Sequence, residues 1–215
     1  MKYTINHIPL HKQRRSGRNV IMDSITIHST ANPKSTAINE RNWLVNPSNT
    51  KNASWHIAVD DKECVEAIPL NEQAYHSGSS KGNNSSIGIE ICESGNKKQT
   101  IQNAIELVAK MLHERNWNIS NLRRHFDWSG KNCPNIMSAN NWADWHKFKA
   151  DVEKELDKLT KPSTPVIGIT PDVWAKDDWE WATKEGYMDG TRPKDNLTRQ
   201  EMAIIIKRII ANGKK

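Results

Sequence analysis

Two histidines and one cysteine are placed where they could share a metal ion. His28 lies near the end of the segment S-I-T-I-H-S (24–29), and His125 and Cys133 fall within R-R-H-F-D-W-S-G-K-N-C-P (123–134). Zinc takes imidazole nitrogen at about 2.0–2.1 Å and thiolate sulfur at about 2.3 Å; a catalytic site keeps three protein ligands and leaves a fourth position for water. Two His and one Cys satisfy that count. A structural site wants a fourth protein ligand, and no C-x-x-C pair is present to supply one. Taken alone, His28 reads by default as a hydrogen-bonded structural residue.

A carboxylate and an ammonium stand near these ligands in sequence pattern. Glu90 lies in S-I-G-I-E-I-C (86–92), on the strand face opposite its isoleucines. There it is either solvated or able to take a proton from an attacking water. Lys131, two residues before Cys133, can bring positive charge to an oxyanion at an attacked carbonyl, or simply sit in a solvated loop.

The elements that must position these groups follow from hydrophobic period. Ser24–Ser29 and Ser86–Cys92 alternate apolar and polar residues, which predicts strands, and Trp55–Val59, W-H-I-A-V, reads as another. In the first, Ile25 and Ile27 share one face, with Thr26 and His28 on the other. Ser35–Asn46 reads as a short helix. Thr100–Asn116 carries Ile101, Ile105, Val108 and Leu112 at helical spacing, with Thr100 as the expected N-cap. Trp142, Trp145, Phe148, Val152, Leu156 and Leu159 form a second long apolar stripe, read as helix core rather than a platform for sugars.

Composition narrows the class. The net charge of +6 is a mild excess that suits solubility or an anionic polymer such as a cell wall, and no nucleic-acid-binding signature accompanies it. Three cysteines cannot form a complete disulfide framework, so Cys64 and Cys92 read as reduced core thiols. The N-terminal segment has no apolar core of a secretory signal, and the apolar run around Ala203–Ile210 is too short to insert in a membrane.

Taken together, I-T-I-H-S-T (25–30), S-W-H-I (54–57), Y-H-S-G (75–78), S-I-G-I-E (86–90) and R-H-F-D-W-S-G-K-N-C-P (124–134) resemble the type-2 N-acetylmuramoyl-L-alanine amidases, the family that includes phage lytic amidases and the peptidoglycan recognition proteins. The resemblance covers about residues 1–158. It implies an α/β fold, a mixed central β-sheet flanked by α-helices, with a zinc-lined groove for glycan and stem peptide. It implies one catalytic Zn2+ on His28, His125 and Cys133, with Glu90 as general base and Lys131 near the oxyanion. His76 and Trp55 would line the groove as substrate contacts. Many members carry Tyr where this chain has Trp55; an indole offers only an N–H donor, which increases the weight on Glu90 and leaves Trp55 to packing or stacking.

The implied reaction is hydrolysis of the amide between N-acetylmuramic acid and L-alanine in bacterial peptidoglycan, by an endolysin or autolysin. Two alternatives share the same residues: a non-catalytic peptidoglycan-binding module, and a zinc peptidase acting on stem-peptide cross-links. With no leader expected, such a chain would be made in the cytoplasm and reach the wall after release or lysis.

Residues 1–159 are expected to form the catalytic domain and 160–170, rich in Pro, a linker. The unit at 171–215 is similar to a single surface-layer-homology repeat, through Val173-Trp174, Trp179–Ala182, Gly186-Tyr187, Asp189-Gly190 and the run Leu197–Glu201. Gly186 would end its first helix, and Thr198 with Glu201 would box the start of its second. This small helical unit would bind a secondary cell-wall polymer or build a homo-oligomer.

Overall fold

The computed structural model describes residues 1–160, 171–190, 197 and 199–212. Two compact units divide between Thr160 and Lys161. Of the expected linker 160–170, Thr160 ends a long helix, while residues 161–170 and Thr198 of the expected capping box lie outside the described residues.

The first unit is a six-stranded sheet flanked by helices. Its strands are β1 (Lys2–Ile5), β2 (Ser24–Ser29), β3 (Ile57–Val59), β4 (Glu63–Glu66), β5 (Ser86–Ile91) and β6 (Leu122–Arg124), in the order β1-β4-β3-β5-β2-β6. All neighbours run parallel except β3 and β4. The helices are α1 (Ala37–Trp43), α2 (Ser80–Ser85), α3 (Lys97–Glu114), α4 (Phe126–Ser129) and α5 (Ala139–Thr160).

The period-2 pattern of the strands divides the core in two. Ile25, Ile27, Ile57, Val59, Ile87, Ile89 and Ile91 point to one face, where they pack with Val108 and Leu112 of α3 and Phe148 and Val152 of α5. Each such fully buried side chain contributes about 1.5–3 kcal/mol. The other face carries Ala58, Val65 and Cys92 against Ala37 of α1, Leu44 and Trp55. Thr26, His28, Gly88 and Glu90 alternate onto this second face, so the polar chemistry sits on the sheet side away from α3 and α5.

The helical stripe of α5 is core as expected: Trp145, Phe148, Val152 and Leu156 are buried, while Leu159 at its end is exposed. Its entry is unforeseen. Asn140, Asn141 and Trp142 adopt φ of 49°, 51° and 67°, a left-handed turn before the right-handed helix. Helix α3 begins earlier than its stripe suggested. Asn96, not Thr100, is the N-cap and accepts from the Gln99 N–H, because Gly95 at φ +68° turns the chain just before it. Thr100 instead donates its hydroxyl to the Asn96 carbonyl. Trp55 and His56 precede β3 rather than belonging to it.

The second unit, described by itself, contains α6 (Lys176–Lys184) and α7 (Arg199–Asn212). Gly186 does end α6: at φ +75° it lets the Gly186 N–H reach the Thr183 carbonyl and the Tyr187 N–H reach that of Ala182, a paired closure of the last turn. No helix among the described residues is long and apolar enough to cross a membrane.

Candidate metal centre

His28, His125 and Cys133 reach one point from three places in the sequence. His28 is carried near the end of β2, walled by buried neighbours on both sides. His125 follows β6 directly, and its N–H donates to the Ile27 carbonyl, extending the pairing with β2 by one residue. The chain then makes the single turn of α4, which Gly130 at φ +72° closes. It returns so that the Cys133 carbonyl accepts from the Phe126 N–H at 3.1 Å. Ser29 clamps the return: its hydroxyl donates to Asn135 Oδ1 and accepts from the Asn135 N–H.

The three ligand atoms lie within 4.8 Å of one another. His28 Nδ1 is 3.0 Å from His125 Nδ1 and 3.7 Å from Cys133 Sγ. Tetrahedral bonds of zinc length put two nitrogens about 3.3 Å apart and a nitrogen and sulfur about 3.6 Å apart. The spacing therefore fits one ion of that size.

The protonation states leave the imidazoles at the same point free to bind. Burial holds the His28 imidazole well below its usual range, with repulsion from His76, His125 and Lys131 adding to it. Burial and then Lys131 bring His125 down to about 4. Both rings are thus neutral and keep a lone pair for a metal. Burial pushes the Cys133 thiol up to about 11, with the Glu90 charge adding and Lys131 opposing. The thiolate form needs a positive charge beside it, which a bound ion would bring.

Glu90 is the residue paired with His28 in the β2–β5 register, on the same face. Its Oε2 is buried and has no hydrogen-bond partner. Burial pushes this carboxyl up to about 8, with Glu40 of α1 adding and Lys131 opposing. It is a proton-holding group near neutrality beside the ligand cluster.

All three ligands, Glu90 and Lys131 line one open cleft of about 680 Å3. Trp55 lines it too, almost wholly buried, with its indole N–H unpartnered. His76 is part of the cleft wall, but both its ring nitrogens are engaged: one with His28 Nε2 at 3.0 Å, the other with the Ser86 carbonyl at 2.9 Å. Three residues that sequence reasoning did not single out also shape the centre. Tyr75 lines the cleft. His56 joins Gly88 and the Glu72 carbonyl through its two nitrogens, and Asn135 holds the Cys133 loop. Tyr75 and His56 stood in motifs already noted, Y-H-S-G and S-W-H-I; nothing local marked Asn135.

A family model described as N-acetylmuramoyl-L-alanine amidase matches residues 17–136, the span that holds every one of these groups. The chain belongs to this amidase family. Curated relatives agree. N-acetylmuramoyl-L-alanine amidase XlyB of Bacillus subtilis is 45% identical over 141 residues, covering 62% of this chain and 43% of that protein. CwlA of Bacillus subtilis is 43% identical over 143 residues, covering 63% and 50%. The chain spans about half the length of these curated relatives. Among solved structures, the catalytic domain of XlyA superimposes with a TM-score of 0.65 at 35% identity, covering 71% of this chain and 99% of that one. PlyL gives 0.63 at 31%, covering 72% and 99%. The mixed sheet flanked by helices is the fold of those amidase domains.

Proposed function

We propose that this chain hydrolyses the amide between N-acetylmuramic acid and L-alanine in bacterial peptidoglycan, with one zinc ion held by His28, His125 and Cys133. The observation that carries the reading is the convergence of these three ligand atoms on one point, in an open cleft that Glu90, with its Oε2 buried and unpartnered, also lines. Membership of the amidase family and the names of the relatives support the substrate.

A zinc ion bound there supplies Lewis acidity, polarising a carbonyl and easing loss of a proton from water. The chain's own residues do the rest. Glu90, able to hold or release a proton near neutral pH, takes the proton of the attacking water and returns it to the departing alanine amine. Lys131 offers positive charge to the oxygen of the attacked carbonyl as it becomes negative. Trp55 presents an apolar wall against which a sugar ring or stem peptide can lie. The substrate places the site of action at the wall, outside the membrane.

The test is digestion of purified Gram-positive peptidoglycan by the zinc-loaded protein, with products read by mass spectrometry. Stem peptides bearing a free N-terminal L-alanine, beside intact glycan strands, are expected. Cleaved cross-links with alanine still attached to muramic acid would make the chain a peptidase. Undigested wall, with zinc confirmed, would favour a binding module.

The C-terminal unit is proposed to hold the enzyme at the wall through a secondary polymer, its surface-layer-homology resemblance being the support. Co-sedimentation with walls by the full chain but not by residues 1–160 is expected. Equal sedimentation of both, with self-association only in the full chain, would move the unit to oligomer building.

A further inference from the structure

The histidine behind the centre has a defined chemical state. A carbonyl oxygen only accepts hydrogen bonds, so the His76 nitrogen 2.9 Å from the Ser86 carbonyl, Nε2, must carry its proton. The neutral ring then has a lone pair at Nδ1. That atom lies 3.0 Å from His28 Nε2, which must be the donor. Proton placement is thereby passed along the chain Ser86, His76, His28. His28 is left with a bare Nδ1, the atom that lies 3.0 Å from His125 Nδ1 and 3.7 Å from Cys133 Sγ.

The sheet has made room for this ring. Gly88 sits on β5 two residues before Glu90, with an ordinary strand conformation that does not itself require glycine. A Cβ there would come within 2.7 Å of His76 Cγ and 2.9 Å of its Nδ1 and Cδ2. Side chains do not tolerate such contacts. The ring lies edge-on to both His28 and His56, with centroids 5.1 and 5.7 Å away. His56 in turn accepts the Gly88 N–H and donates to the Glu72 carbonyl, which holds the backbone under His76 in place.

We infer that His76 is a positioning residue, seated over Gly88, that fixes His28 as the Nε2–H tautomer and so sets the affinity of the His28–His125–Cys133 centre for its metal. The inference rests on the reading of His28 as a metal ligand. It gives the buried His76 a task other than touching substrate, since neither of its nitrogens is free to do so. Partners that orient a metal-bound histidine in this way are typically worth about 10–100-fold in metal affinity.

Three variants of the full chain separate positioning from packing. His76→Leu keeps about the same volume without any nitrogen. His76→Gln can accept from His28 through its carbonyl and donate to Ser86 through its amide. Gly88→Ala leaves His76 intact but displaces its ring. Zinc affinity is measured by competition with a chromophoric chelator. The His28 tautomer is read in the metal-free protein from long-range nitrogen–proton NMR correlations.

His76→Leu and Gly88→Ala are expected to lose about 10–100-fold in zinc affinity, and to show His28 as a mixture of tautomers. His76→Gln is expected to stay within about threefold of the parent, with the single tautomer kept. Should His76→Leu fail to fold, the contrast between Gly88→Ala and His76→Gln decides the matter. Parental zinc affinity and a single tautomer in Gly88→Ala and His76→Leu would overturn the inference. So would equal losses in His76→Gln and His76→Leu, or a raised KM with unchanged zinc affinity. The zinc-affinity and tautomer readouts need no turnover. A chain that binds zinc tightly through this relay yet releases no alanine would overturn the amidase reading alone.

Discussion

Glu90 and His28 are register partners across the parallel pair of β5 and β2, so a carboxyl and a candidate metal-ligating imidazole share one face of the sheet. Their relation does not depend on a mobile loop. Both are held by strands whose opposite faces are packed with isoleucine, which gives the carboxyl a fixed place beside the candidate ligands.

Replacing Glu90 with Gln keeps shape and removes the base. Turnover on peptidoglycan should fall about 10²–10⁴-fold while zinc content stays at the parental level. Release of alanine-terminated peptides, followed alongside metal analysis of the same sample, checks both halves. A variant that remains active refutes the assignment of Glu90.

Loading the metal should release protons. With its thiol pushed up to about 11, Cys133 is protonated in the metal-free chain at neutral pH and must ionise to bind zinc. Zinc titration in weak buffer with a pH indicator should show the release, and Cys133→Ser should reduce it by about one proton per ion. Zinc affinity should fall in that variant by more than the roughly 100-fold of an outer-sphere change. Chelation of the parent should abolish turnover, and added zinc should restore it.

Acid and base should act on the metal-free chain with opposite signs through different groups. His56 and His125 are lowered to about 4 and His76 to about 3, from 6.5 in the unfolded chain, and His28 is also held low. Below pH 6.5 the unfolded state takes up protons that the folded state refuses, so the stability present above that pH is lost on acidification. Glu90 runs the other way. Its folded value of about 8 against 4.5 unfolded makes its contribution complete below pH 4.5 and lost as pH rises through 8. Urea unfolding from pH 4 to 9 should show Glu90→Gln lacking the parent's decline between about pH 6.5 and 8, and losing stability more steeply than the parent below pH 6.5, where protonated Glu90 offsets the loss from the histidines. Identical slopes on the alkaline side would contradict the buried state of Glu90.

Phe148 tests whether the aromatic stripe of α5 is core. Fully buried against the sheet, it should cost about 3–5 kcal/mol when truncated to Ala, seen as a lower thermal midpoint of the first unit. A variant with parental stability and weakened wall binding would instead make it a sugar platform.

Much of the centre could be read from the chain alone, for local reasons. Alternating isoleucines in 24–29 and 86–92 forecast two strands and put His28 and Glu90 each on the face away from the isoleucines; that the two faces are one came from strand pairing. Ligand types at fixed spacing, together with five short motifs, carried the family. Those signals survive in one dimension because strand period and turn chemistry are properties of neighbouring residues. Other features are set by distant partners. β1, β4 and β6 span only three or four residues each, too short for a period to show, and exist because a neighbouring strand completes their hydrogen bonds. Asn96 displaced Thr100 as a cap because Gly95 turned the chain first. Serine and asparagine 106 residues apart clamp the cysteine loop. His76 could be placed near the groove from its motif, but its contacts with His28 and Ser86, and the need for glycine at position 88, arise only where three strands and a loop meet. Sequence determined which groups could do the chemistry; tertiary structure decided which nitrogen of each histidine faces which partner, because hydrogen-bond direction is fixed only when donor and acceptor from distant segments are brought within 3 Å.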